Sequence, residues 1–226
     1  MDWSRRIYGY CERGLGDGFW AEPFNAVTNA SFIIAAVIAL ALAVRARRLD
    51  MPTGWLITLT FAVGGGSFLF HTYAMVWAAV LDTTPIMLFI LSYFVIAMNR
   101  FGGFGWGRSF LLTGGFLVAM IAVSWVLNTL LRDVIGGSVS YIPALMALAA
   151  VGWWLTTRGQ PAGRWLIAVA MIFAASLTAR ALDRPLCAHF LIGTHWVWHV
   201  LNGIVLGSLI IAVIRHGRRV EEAKPE

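Results

Sequence analysis

Seven apolar runs, each long enough to cross a membrane, leave this chain few ways to fold. They lie near Asn25 to Val44, Gly54 to Tyr73, Trp77 to Met98, Ser109 to Leu131, Val139 to Thr156, Trp165 to Leu182 and His195 to Ile214. About 18 or more apolar residues span a hydrocarbon core of about 30 Å as a helix. The connections between the runs are short, so the sequence predicts one all-α integral membrane domain over residues 1–226. Its expected form is a seven-transmembrane helix bundle with an external N-terminal segment (1–24), a cytoplasmic tail (215–226) and no soluble domain. Composition agrees: 59% of the residues are hydrophobic and 12% charged, far from the balance of a soluble domain. The opening "MDWSRRIYGYCERGLGDGFW" lacks a continuous apolar core, so no cleavable signal peptide is expected.

The net charge of +6 reflects topology rather than nucleic-acid binding. Arg45, Arg47, Arg48, Arg100, Arg108, Arg158, Arg164, Arg215, Arg218, Arg219 and Lys224 all fall in loops on the side opposite the N-terminus, eleven of the 17 basic residues. Short loops rich in Lys and Arg stay in the cytoplasm, which places the N-terminus outside and the C-terminus inside. Nothing resembles a nucleic-acid module. Short loops and the lack of long tails suggest a bacterial inner-membrane protein. Both cysteines, Cys11 and Cys187, fall on the external side, where a disulfide is one outcome; two free thiols, or Cys187 with His189 on a metal, are the others.

An ionisable residue inside a span is expensive and marks function by default. Within the seven runs the set is His71, Asp82, Arg180, His195 and His199. Arg180 sits about one turn from its helix end, where it is expected to snorkel toward Asp183. His195 and His199 are four apart, which stacks both imidazoles on one helix face. Ser67 and His71 repeat that spacing in the second run, and Asp82 follows near the start of the third. These positions all lie within about two helical turns of the same membrane edge at 1.5 Å per residue.

Three neutral imidazoles suit Zn²⁺, at about 2.0–2.1 Å each with a fourth position left to water, whose pKa the ion lowers toward about 7. Asp82 has two candidate roles, general base or acceptor that orients one histidine. Ser67 either donates to a developing oxyanion or bonds to its own helix. The run Gly64, Gly65, Gly66 allows close helix approach or marks a kink. Asn202 continues the histidine face as an outer-sphere group or a packing contact, and Trp196 and Trp198 read as interfacial anchors.

Ser67 with His71, Asp82 eleven residues on, and the His195/His199 pair opening the last span resemble the alkaline ceramidase family. So does "CERGLGDGFWAEPFNAVTNASF", which is similar to that family's acidic N-terminal segment running into its first helix. The resemblance implies a zinc-dependent amidase that cuts the N-acyl bond of ceramide, a membrane lipid, to a sphingoid base and a fatty acid. It implies zinc ligands at His71, His195 and His199 and catalytic roles for Asp82 and Ser67. It also implies calcium held near the N-terminus by Glu12 and Glu22, and Asp17, Asn25 or backbone carbonyls are the candidates to replace the family ligands missing here. Here "YGY" (Tyr8–Tyr10) stands where the family has an aspartate, and Gly14 where it has an asparagine. The alternative for Glu12 and Glu22 is ion pairing with Arg5, Arg6 or Arg13. The resemblance also favours a Cys11–Cys187 disulfide. Two competing readings remain: a non-enzymatic receptor-like or structural protein whose zinc ties three helices together, and a hydrolase or acyltransferase of another lipid.

Overall fold

Each apolar run forms a helix whose start and stop follow from a few polar, proline and glycine positions. The computed structural model describes residues 2–14 and 16–218. In chain order the helices are α1 (Pro23–Thr28), α2 (Ala30–Arg45), α3 (Met51–Tyr73), α4 (Val76–Arg100), α5 (Trp106–Ile135), α6 (Ile142–Thr157), α7 (Pro161–Leu182) and α8 (His195–His216). A 3₁₀ segment at Gly136–Tyr141 leads into α6, and α1 and α2 together make the first span. Seven helices are long and apolar enough to cross a membrane, as the hydropathy pattern predicts. Most run a few residues past the apolar limits because polar end residues such as Arg45, Arg100 and His216 continue the helical bonding. Arg219 and Lys224 lie outside the described residues.

The α3–α4 hairpin holds half of the site. Asp50 caps α3 by accepting the Thr53 N–H (3.1 Å) and hydroxyl (2.8 Å), with proline in the first turn. The helix ends at Ala74, which turns left-handed at φ 49° and so reverses the chain into α4. The N-terminal segment lies against this reversal: the Ile7 N–H donates to the Ala74 carbonyl (2.7 Å) and the Val76 N–H to the Arg5 carbonyl (3.1 Å). A disulfide joins Cys11 to Cys187 across a Cα separation of 5.3 Å, so the segment is fastened to the α7–α8 loop as well.

Helix α8 is the most buried span and packs against α2 and α7. Gly203 and Gly207 permit this, since a Cβ at either would meet Ser31 or Ala35 of α2. Small residues four apart let two membrane helices approach closely. At the end of the bundle opposite the N-terminal segment, buried Arg100 reaches Asp50 at 2.6 Å. Burial raises the Asp50 carboxyl, but the bonds from Thr53 and Arg100 outweigh it and hold the group below its ordinary 3.8. A depressed carboxyl stabilises the fold above that value and ceases to as pH falls through the lower folded value. Thermal stability in detergent is therefore expected to drop below about pH 4 in the wild type and to be flatter there in Asp50→Asn; an identical pH profile would refute the linkage.

Candidate metal centre

The three histidines converge at the N-terminal face because two helix ends meet there. His71 occupies the last turn of α3, and α8 begins at His195, with His199 one turn in. Buried Asp183 fixes that beginning. Its Oδ1 accepts the N–H groups of Thr194 (2.8 Å) and His195 (3.0 Å), and its Oδ2 accepts the Cys11 N–H (3.0 Å). A carboxylate at a helix N-terminus satisfies orphan donors and complements the dipole. Asp183 is thus committed to backbone, which corrects the expectation that it pairs with Arg180. Arg180 instead donates to the Ser138 hydroxyl (3.0 Å), hydrogen-bonds Tyr10, and lies over the rings of Tyr141 and Trp198.

All three imidazoles are buried to within 2% of full occlusion, and two have their outward nitrogens assigned by partners. His71 Nδ1 lies 2.6 Å from Glu22 Oε2, so it donates. His199 Nδ1 lies 3.0 Å from the Thr28 hydroxyl, whose own hydrogen goes to the Phe24 carbonyl at 2.6 Å, so this Nδ1 donates too. The nitrogens left over, His71 Nε2, His199 Nε2 and His195 Nδ1, are buried without a hydrogen-bond partner. Three buried ring nitrogens without partners are costly as they stand. Ligand atoms of the three residues lie within 4.8 Å of one another, and they form the one such group of three among the described residues. This donor set fits a metal ion: an ion at that point satisfies all three, and the Glu22 and Thr28 contacts orient two of the ligands from behind.

Ser67 is buried against Asp82, whose carboxylate it hydrogen-bonds, with His71 in electrostatic range. The contact rests on backbone shape. Pro85 within α4 has no N–H for the Leu81 carbonyl four residues back. That carbonyl lies against Gly66, where a Cβ would collide with it. The glycine run divides its work: Gly66 faces α4, Gly64 faces Asn29, Phe32 and Ile33, and Gly65 has open space.

The residues expected to hold calcium are engaged otherwise. Glu12 accepts the N–H groups of Phe24 (2.7 Å) and Asn25 (2.8 Å) at the start of α1. Asp17 is exposed and receives the Tyr8 hydroxyl at 2.5 Å. Glu22 meets Arg13 at 2.5 Å, His71 and the Asn25 amide at 3.0 Å. Burial raises the Glu22 carboxyl, but His71, Arg13 and Asn25 together bring it below its ordinary value. The fully buried Arg13 also donates to the His71 and Thr72 carbonyls at 2.8 and 3.2 Å. A guanidinium at the centre of these oxygens does not fit a calcium ion beside it, and it agrees with the ion-pair alternative for Glu22. Addition of EGTA or millimolar calcium is expected to leave the melting temperature in detergent unchanged; a shift of several degrees with either would overturn this.

Sequence reasoning missed Arg13 as a support of His71, Tyr10, which stacks on His195 at 3.8 Å between ring centroids, and Thr28 behind His199. None carries a spacing signal, since all three act across the tertiary fold. No curated protein and no solved structure matches the chain. The ceramidase family model matches residues 10–226, from the segment that backs the histidines to the end of the chain. With that match over nearly its whole length, the chain belongs to the ceramidase family, hydrolases of amide bonds.

Proposed function

We propose that the protein is a zinc-dependent intramembrane hydrolase that cuts the N-acyl bond of ceramide or a related lipid amide, giving a sphingoid base and a fatty acid. The observation that carries this is the convergence of three partnerless buried imidazole nitrogens next to a Ser67–Asp82 pair. Bound there, zinc supplies Lewis acidity that polarises the amide carbonyl and acidifies water. Asp82 takes the proton of the attacking water and passes it to the departing amine as the C–N bond breaks. Ser67 donates to the carboxylate at rest, and as Asp82 becomes protonated the hydroxyl turns to the developing oxyanion. Glu22 and Thr28 hold the ligand rings in place. A structural zinc closes its coordination with a fourth protein ligand; the donor group here has three members among the described residues.

An apolar cavity supports a lipid substrate. Phe89, Tyr93, Phe173, Trp198, Asn202 and Leu206 are among its walls. Asn202 lies three residues after His199, and the lining residue Ile86 four after Asp82, so the cavity opens about one turn below the catalytic groups. An acyl chain seated there places its amide at the histidines. The basic loops on the opposite face support an orientation with the site toward the external side of a bacterial inner membrane. The deciding experiment is lipidomics of membranes incubated with purified wild type or His199→Ala. One class of lipid amide is expected to fall, with its free base and fatty acid rising, in the wild type alone. No change in any amide would refute the hydrolase reading.

A further inference from the structure

A second, polar cavity adjoins the metal site at the N-terminal face, and its lining is predominantly cationic. Arg132, Arg180 and Arg184 line it together with Tyr10, Ser138 and Asp183. Both Asp183 oxygens are occupied by backbone N–H groups, as above. Among the described residues no carboxylate lies within ion-pair distance of any of the three arginines. Arg132 and Arg184 are exposed, and Arg180 is half-buried.

Arg180 is the informative member. Its bonds go to neutral oxygens, on Ser138 and Tyr10, and its guanidinium lies 5.4 and 5.6 Å from the Tyr141 and Trp198 ring centroids. Those two rings also wall the apolar cavity. The guanidinium therefore sits at the boundary where the apolar cavity gives way to the polar one. Through Tyr10, which stacks on His195, it is also one side chain removed from the histidine cluster. A cation within a span with no carboxylate at ion-pair distance is costly, even with Asp82 in longer electrostatic range, and arginines in a shared cleft are suited to an oxyanion, which they bind by paired N–H donors.

We propose that this cavity binds the anionic head group, a phosphate, sulfate or carboxylate, of the lipid amide whose acyl chain enters the apolar cavity. This rests on the hydrolase reading for the fate of the lipid, but the anion site itself does not. Three arginines face one lining carboxylate, Asp183, so the cavity keeps an excess of positive charge that a neutral head group would leave in place, whereas an oxyanion pairs with Arg180 at the boundary and with Arg184 and Arg132 at the rim.

Two measurements test it. In uncharged detergent, dodecyl phosphate is expected to raise the melting temperature of the wild type in a salt-sensitive manner, while dodecanol does not. The rise is expected to disappear in Arg180→Gln. The doubly substituted Arg132→Gln, Arg184→Gln protein, changed only at exposed positions, is expected to show it weakened and serves if Arg180→Gln does not fold. In the second measurement, a ceramide is compared with the same ceramide phosphorylated on its head group. The wild type is expected to favour the phosphorylated lipid at least tenfold in kcat/KM through a lower KM, with the ratio falling toward one in the variants. A dodecyl phosphate shift equal in wild type and both variants overturns the anion site, as does equal turnover of the two ceramides by the wild type. Cleavage of neither lipid, with the shift present in the wild type and lost in the variants, refutes the hydrolase reading and leaves the anion site standing.

Discussion

Substituting His199 or Asp82 with alanine is expected to abolish turnover in both cases, but by routes that a metal assay separates. His199 donates from Nδ1 to Thr28 and leaves Nε2 buried without a partner. On the proposed function its removal deletes one of three zinc ligands, so the purified variant is expected to carry little zinc and to show activity reduced by at least about 10³-fold, the loss of a Lewis acid together with its positioning. Asp82 stands outside the three-histidine group and against Ser67. Asp82→Ala is expected to keep its zinc and lose about 10²–10⁴-fold in kcat, the range of a general acid–base group. Zinc content by elemental analysis and turnover of the lipid amide, both on protein that elutes as a folded species, check the pair. Full activity in either variant refutes the mechanism. Loss of zinc in Asp82→Ala would instead make the aspartate a ligand and favour a closed, structural coordination.

The split between these two residues shows what a one-dimensional reading reaches. The spans were legible because lipid demands long apolar runs, and the histidines because charge-bearing groups in those runs are rare and lie at i, i+4. Their shared depth followed from counting residues to the helix ends. What surrounds them was not legible, because it comes from a segment outside the helices. Arg13, twelve positions before the first apolar run, reaches the His71 carbonyl, and Tyr10 reaches His195 only because the disulfide and the Ala74 reversal hold the N-terminal segment over the bundle. The resemblance implied calcium at Glu12 and Glu22, with ion pairing as the alternative; Glu12 is taken up by backbone donors and Glu22 chiefly by an arginine and a histidine. Arg180 was misassigned for a related reason. Nearness along the helix pointed to Asp183, but that carboxylate is taken up by two N–H groups at the start of α8 and by the Cys11 N–H of the N-terminal segment, which no spacing rule advertises.

The glycine run offers the largest contrast between neighbouring substitutions. At Gly66 a methyl group would overlap the Leu81 carbonyl, a backbone atom that cannot swing aside like the tip of a flexible side chain. Relief requires α3 and α4 to separate near the very turn that brings Ser67 to Asp82. Overpacking of this kind costs typically about 1–3 kcal/mol, and a displacement of about 1 Å at reacting groups is enough for roughly a 10²-fold loss of rate. Gly66→Ala is therefore expected to lower the melting temperature and reduce kcat about a hundredfold while zinc content is retained, because the α8 ligands and the end of α3 are tied independently to Asp183, Glu22 and Thr28. Gly65→Ala, one residue away with no atom within 4 Å of the added carbon, is expected to match the wild type in both measurements. Gly64→Ala meets mainly the movable side chain of Ile33 and is expected to fall between them. If Gly65→Ala were as damaging as Gly66→Ala, the loss would reflect helix flexibility rather than the α3–α4 approach. If Gly66→Ala kept full activity, the Ser67–Asp82 contact would not depend on that approach.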